Sequence, residues 1–216
     1  MLLGDQVVSE VELTGGQRTA QSLAPAMKNL LEEVHWKPSD VQLVAVTLGP
    51  GSFTGLRVGV VTAKTLAYAS GAEVIGVNTL DVIAHQSPAG NRSISAVIDA
   101  HRHQLFAKTF KREEDGFLNT DQVTQVVATD HYVANLKPDI IVTGPVLEKL
   151  RSRLPAGAPV ADKSLWKPMA ATVGQLAWHN YQAGKRDDVW KLAPNYYRQS
   201  AAEEKLAESK PKDEPN

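Results

Sequence analysis

The sequence predicts an α/β protein whose two halves share one plan, antiparallel strands followed by alternating helices and strands, with the sheets inside. Three observations carry that reading. Residues 41–48 are too dense in apolar and β-branched side chains for one solvated face, as in a strand covered on both sides, and its edges are expected to be paired. Gly49-Pro50-Gly51 ends that strand and leads into a helix, after which residues 73–77 form a second strand, so the pair is expected to run parallel through a helical crossover. In the second half, residues 94–99 and 105–110 flank a short polar stretch and read as a hairpin.

Taken in order, residues 7–13 alternate well enough for a strand, with Gly4-Asp5 as a turn before it, Gly15-Gly16 after it, and no hairpin partner ahead of it. Residues 19–34 place Leu23, Met27, Leu30, Leu31 and Val34 on one helical face, with Lys28, Glu32 and Glu33 opposite. Pro38 and Ser39-Asp40 separate this helix from the strand at Val41. Ser52 or Thr54 can cap the next helix, which runs to about Ala69 and closes at Gly71 in the left-handed conformation. Thr79 is placed to cap a helix through residue 86, and residues 87–91 are the clearest break. The first lobe is therefore set at residues 1–88 and the second at 89–201. Beyond the hairpin come a polar turn at 113–116, a strand at 122–128, a helix from Thr129-Asp130 to Leu136 and a strand at 139–142. Helices at 145–153 and 172–183 and an extended Pro194-Asn195-Tyr196-Tyr197-Arg198 follow. Residues 202–216 lack apolar support and read as a disordered tail.

Composition narrows the function. With 216 residues and a net charge of -1, the chain has no global attraction to nucleic acid, so any RNA contact is local or made through a partner. The absence of cysteine removes disulfides, thiol nucleophiles and cysteine-ligated zinc. No stretch is long and apolar enough to span a bilayer, and the N-terminal residues do not resemble a secretion signal, so a cytoplasmic protein is expected.

Candidate chemistry is sparse. Gly49, Gly51, Ser52 and Thr54 border a helix N-terminus and could meet an anion, with Arg57 beside them. The spacing matches neither a P-loop nor a dinucleotide fingerprint, and a structural turn is the favoured reading. Asp99, His101 and His103 alternate and could share one side of a strand, yet no ligand spacing for a metal accompanies them, and a solvated hairpin tip is the default. Ser52 lies in Gly51-Ser52-Phe53-Thr54-Gly55, which only superficially suggests a nucleophile elbow. Arg102, Lys111 and Arg112 suggest a basic edge, but Glu113 to Asp115 follow directly and favour a solvated turn. In the central helix Gly55, Gly59, Ala63 and Ala67 recur every four residues and leave a bare ridge, which either rests on the chain's own sheet or meets a second helix.

The run Leu48-Gly49-Pro50-Gly51-Ser52-Phe53-Thr54-Gly55-Leu56-Arg57-Val58-Gly59 strongly resembles the TsaB (YeaZ-type) family of tRNA threonylcarbamoyladenosine biosynthesis proteins. Thr62-Ala63-Lys64-Thr65-Leu66-Ala67, Gly76-Val77-Asn78-Thr79-Leu80, Ile98-Asp99-Ala100 and the Pro194 to Arg198 segment support it. The resemblance implies an actin-like, sugar-kinase-like fold of two related lobes. It also implies a noncatalytic role, binding a TsaD-like catalytic subunit and acting with a TsaE-like ATPase in transfer of a threonylcarbamoyl group to tRNA, which the chain meets indirectly. No tightly bound cofactor is implied, and ATP or ADP would be met only in the complex. Two departures stand out. The family's opening strand, ending in Asp-Thr or Asp-Ser, is missing ahead of Met1, and its motif before the first helix is only loosely echoed in Arg18 to Pro25. A misassigned start or a truncated chain is the expected explanation of the first.

The expected partner surface comprises Leu23, Met27, Leu30 and Leu31 with Gly55, Arg57, Gly59, Thr62, Ala63, Leu66 and Ala67, and a homodimer could use the same helices. The competing expectation is a nucleotide-dependent enzyme of the same fold, a phosphotransferase or glycoprotease-like peptidase, with Asp99 and the glycine loop at its site.

Overall fold

The computed structural model describes residues 1–13, 19–88, 93–114, 116 and 118–198. Its first elements are β1 (Leu2–Leu3) and β2 (Gln6–Val7), paired antiparallel across Gly4, whose φ of 64° suits glycine. The strand expected over residues 7–13 therefore ends at Val7, and its partner is the short β1. Val8 N and Ser9 N still donate to the Met1 carbonyl, at 2.9 and 3.4 Å, and beyond them Val11 and Leu13 border a groove with Pro25 and Leu30 of α1 (Thr19–Glu33). The expected Gly15-Gly16 turn and Arg18 lie outside the described residues.

β3 (Leu43–Gly49), α2 (Phe53–Ser70) and β4 (Glu73–Asn78) form the expected parallel crossover, with Leu43 opposite Glu73 and Val46 opposite Gly76. Ser52 is the cap of α2, its Oγ accepting from Gly55 N at 3.3 Å, and Gly71 closes the helix at φ 73°. Asn78, not Thr79, caps α3 (Thr79–His85), because its Oδ1 reaches Leu80 N at 2.8 Å and Thr79 is already helical.

The second sheet has the order β7-β6-β5-β9, with β8 also on β6. Its members are β5 (Ser93–Asp99), β6 (Gln104–Arg112), β7 (Leu118–Asn119), β8 (Gln125–Ala128) and β9 (Ile141–Thr143), with α4 (Thr129–Ala134) between the last two. The hairpin of β5 and β6 is as expected. β8 starts later than expected because side chains serve β6 first: Thr120 Oγ1 donates to Thr109 O at 2.7 Å and Gln122 Oε1 accepts from Thr109 N at 3.3 Å. α5 (Leu147–Leu150) passes into a 3-10 turn at Arg151–Arg153, and Pro155 bars further helix.

α6 (Ala170–Gln182) lies within residues 89–201, the stretch expected to form the second lobe. It follows the second sheet in sequence but packs on the first, where Ala177 joins Ile75, Val77 and Val82 in one core cluster. On the opposite face of that sheet Val60, Ala67, Val74 and Leu192 form another. Residues 170–192 thus pack on the first sheet, because β3 and β4 have two apolar faces and α2 covers only one.

The two halves of the chain are tied by polar contacts. Lys108 Nζ of β6 bonds Asp81 Oδ1 of α3 at 2.6 Å, and the Gln86 amide spans Leu165 O, Lys167 O and Met169 N. Beside Asp81, His85 directs Nδ1 at the Asp81 carbonyl, 2.7 Å away, with its ring edge-on to Phe110. Burial holds the imidazole below its usual pKa, only partly offset by the Asp81 carbonyl. The unfolded chain therefore takes up this proton first, so stability is lost as pH falls through the window below 6.5 and is unaffected by this group above it. Urea midpoints are expected to fall between pH 7.5 and 5.5, and to fall less in His85→Leu.

Candidate functional site

The carboxyl ends of β3, β4 and β5 meet on one side, and residues 194–198 cross them as a strap. Asn195 N donates to Leu48 O at 2.8 Å, Tyr197 Oη accepts from Asn78 Nδ2 at 2.8 Å, and Arg198 Nη1 donates to Ala100 O at 2.9 Å. Gly49 lies under the strap with φ 114°, and a Cβ there would stand 3.1 Å from both Asn195 O and Leu56 Cδ1. Glycine is required here for conformation and for closeness. The Gly49-Pro50 peptide is cis.

Arg57, the candidate anion partner, is turned to the strap. Its Nε donates to Tyr196 Oη at 3.0 Å while its guanidinium lies 4.2 Å from the centre of the Phe53 ring, which itself packs 4.9 Å from Tyr196. Ser52 is engaged as the helix cap, and Gly51 and Thr54 are exposed beside it. The crevice outside the carboxyl ends of an open α/β sheet is where such folds hold ligands, and here the chain's own segment lies across it.

Asp99, His101 and His103 do not share a strand face. His101, Arg102 and His103 adopt φ of 61°, 49° and 58°, a left-handed turn that breaks the alternation. Asp99 Oδ1 accepts from His101 N at 2.8 Å, and its other oxygen is 3.5 Å from Lys149 Nζ. The aspartate thus shapes the hairpin turn. Among the described residues no group of three or more His, Asp or Glu side chains is placed to hold a metal ion, and no helix is long and apolar enough to cross a membrane.

The bare ridge of α2 is divided. Ala63 and Ala67 are buried at 6% and 1% exposure in the chain's own core, Gly59 is half-buried with its Cβ direction 3.7 Å from Val46 Cγ2, and Gly55 is exposed. For the two alanines the ridge rests on its own sheet, which corrects their place on the expected partner surface. Thr62 and Leu66 are half-buried and Arg57 exposed, and on α1 Leu23, Met27, Leu30 and Leu31 are all half-buried. The outward stripe of α2 is instead Arg57, Val61 and Tyr68, grouped within roughly 40° at 100° per residue. Val61 and Tyr68 are 62% and 68% exposed, and Tyr68 meets the exposed Trp190 edge-on with ring centres 5.2 Å apart. Lys64 holds that tryptophan's segment in place, donating to Trp190 O and Leu192 O at 3.1 and 3.0 Å. The sequence reading missed Val61, Tyr68 and Trp190. The spacing of the first two was visible, but Trp190 is brought to them only by tertiary folding.

These features define a mixed α/β protein with its strand-end crevice strapped and an apolar helix face turned outward. The family model for TsaD, described as tRNA N6-adenosine threonylcarbamoyltransferase, matches residues 11–153. The tRNA threonylcarbamoyladenosine biosynthesis protein TsaB of Bacillus subtilis (strain 168) is 30% identical over 225 residues, covering 97% of this chain and 92% of that protein. Its namesake in Escherichia coli (strain K12) is 26% identical over 197 residues, 86% of this chain and 83% of the relative. Among solved structures, a Pseudomonas aeruginosa protein with similarity to peptidase YEAZ matches in fold with a TM-score of 0.74 at 24% identity, over 84% of this chain and 85% of that one. The chain belongs to the TsaB/YeaZ family and is related to TsaD.

Proposed function

We propose that this chain is a noncatalytic scaffold subunit of tRNA threonylcarbamoyladenosine synthesis in the cytoplasm. It binds a TsaD-like catalytic subunit through the outward faces of α1 and α2, acts beside a TsaE-like ATPase, and meets tRNA through those partners. Its fold, in this reading, is the actin-like, sugar-kinase-like arrangement of two related lobes. The observation that carries the noncatalytic role is the strap. Asn195 crosses the glycine loop at hydrogen-bond distance from Leu48 O, and Arg57 is drawn to Tyr196. A phosphate approaching Gly49 would have to displace both. The chain alone holds no nucleotide, and ATP or ADP is met only in the complex.

The partner surface is supported by the exposed apolar side chains of α2 and by an α1 whose described residues are nowhere fully buried. A homodimer would compete for the same helices. Co-expression with the TsaD-type subunit of the same organism, followed by size-exclusion chromatography with light scattering, is expected to give one peak containing both chains. Separate elution would overturn the scaffold reading. Calorimetry of the chain alone with ATP is expected to show no binding, and binding followed by turnover would return the chain to the enzymes.

A further inference from the structure

Phe53, Arg57, Val61 and Tyr68 are exposed along α2, and Arg57 is the only charge among these four. Its guanidinium is already oriented by its own chain. Nε donates to Tyr196 Oη at 3.0 Å, and the group lies 4.2 Å from the centre of the Phe53 ring, which packs 4.9 Å from Tyr196. Tyr196 is fixed in turn by its neighbours, since Asn195 N donates to Leu48 O at 2.8 Å and Tyr197 Oη accepts from Asn78 Nδ2 at 2.8 Å. These contacts engage Nε and one face of the guanidinium. Among the described residues no acceptor meets Nη1 or Nη2, and no carboxylate lies within ion-pair distance of Arg57.

A neutral phenol oxygen does not neutralise a cation. Hydration does so in the free chain, but a protein that covers the stripe removes that water, and an unpaired charge inside an interface is strongly unfavourable. The open Nη groups form a planar fork, the arrangement that a carboxylate or a phosphate accepts through two parallel hydrogen bonds. The surroundings choose between these two anions. Val61, Tyr68 and the adjoining Trp190 are apolar and exposed at 62%, 68% and 71%. Lys64, the other cation of α2, is turned to Trp190 O and Leu192 O, so α2 offers no row of cations for a phosphate backbone to follow. The same helix contains no Asp or Glu, so a two-fold pairing of α2 on α2 would leave Arg57 without a carboxylate from its counterpart.

We propose that Phe53, Arg57 and Tyr196 form a preassembled receptor for one Asp or Glu side chain, set in an otherwise apolar surface of the TsaD-like subunit. The inference rests on the scaffold reading and adds the chemistry of the contact. Arg57 makes the ion pair, and Phe53 and Tyr196 are positioning residues that fix the plane of its guanidinium. Tyr196 reaches Arg57 across 139 residues of sequence, so the strap shapes the partner surface as well as covering the crevice. At 1.5 Å per residue, Val61 lies about 6 Å and Tyr68 about 16 Å from Arg57 along the helix. The partner's carboxylate therefore stands at about those distances from the apolar side chains that meet Val61 and Tyr68.

Affinity for the TsaD-type subunit of the same organism, measured by calorimetry, is expected to fall about tenfold or more in Arg57→Gln. Arg57→Lys should lose a similar factor, because lysine offers a point charge in place of a fork. Tyr196→Phe keeps the ring and removes the acceptor, and should weaken binding about threefold. Raising salt from about 0.05 to 0.5 M should weaken the wild-type complex more than the Arg57→Gln complex. When the exposed Asp and Glu residues of the subunit are changed singly to Asn and Gln, one loss should fail to add to that of Arg57→Gln, which marks a direct pair. Melting temperatures of the chain's variants, expected to match wild type, separate these losses from misfolding. Full affinity in Arg57→Gln, or additivity with every carboxylate of the subunit, overturns the receptor alone and leaves the scaffold reading in place. Wild-type affinity in Arg57→Lys overturns the preassembled fork. Weakening confined to self-association would assign the site to a second copy and overturn the pairing with the subunit. No binding by the wild-type chain overturns the scaffold reading and the receptor together.

Discussion

Gly144→Ala is expected to lower the stability of the chain by about 3 kcal/mol or more, the sum of a strained backbone and an overpacked contact, each of order 1–3 kcal/mol. Gly144 follows β9 with φ 133°, and a Cβ there would stand 2.0 Å from the Val97 carbonyl oxygen and 3.1 Å from its nitrogen. The obstructing atoms are backbone in the middle of β5, paired with β6 on its other side, so they cannot swing away. Loss of this close approach would part β9 and the start of α5 from the sheet, disturbing the cluster of Val97, Val142, Leu147 and Leu150. For a chain of this size the melting temperature should fall by roughly 6–12 °C. Gly157→Ala is the matched control. It has φ 80° and nothing within 4 Å of the added atom, so it should show the backbone part alone, about 1 kcal/mol. Equal losses in the two variants would mean that the Val97 contact contributes nothing.

Val61→Glu is expected to weaken binding of the TsaD-like subunit at least tenfold, about 1.4 kcal/mol, while changing the chain's own stability by no more than about 0.5 kcal/mol. The side chain is 62% exposed on the stripe with Arg57 and Tyr68, so the carboxylate stays hydrated in the free chain and is desolvated only on docking. Tyr68→Ala tests the aromatic pair with Trp190 in the same assay and should also cost binding, as interface aromatics commonly do. Gly59→Leu is a poorer test, because the new side chain points toward Val46 of the chain's own sheet. Unchanged affinity in both Val61→Glu and Tyr68→Ala, measured by calorimetry or by interferometry, would remove α2 from the partner surface.

Much of the fold was legible where local chemistry decides it. The glycines after β3, the cap at Ser52, the left-handed Gly71 and the apolar periods of β5 and β6 each express a backbone requirement that neighbouring residues state openly. The misreadings share a different cause. Asp99, His101 and His103 alternate as a strand would, but the chain turns at Ala100, and a period of two in a sequence does not reveal where pairing stops. Thr79 was the expected cap of α3, and only the direction of the Asn78 amide oxygen shows that the cap lies one residue earlier.

The sequence by itself determined the class of this protein. Its alternating elements required layered α/β packing, its lack of cysteine removed thiol chemistry, and the run from Leu48 to Gly59 pointed to the family. Tertiary structure alone decided which surfaces are available. α6 came back to cover the first sheet, the burial of Ala63 and Ala67 was a matter of which face of α2 met β3, and the strap closed the strand-end crevice from more than 100 residues away in sequence. These are long-range choices. They follow from which apolar faces remain uncovered after the local elements form, and a local window does not contain that information.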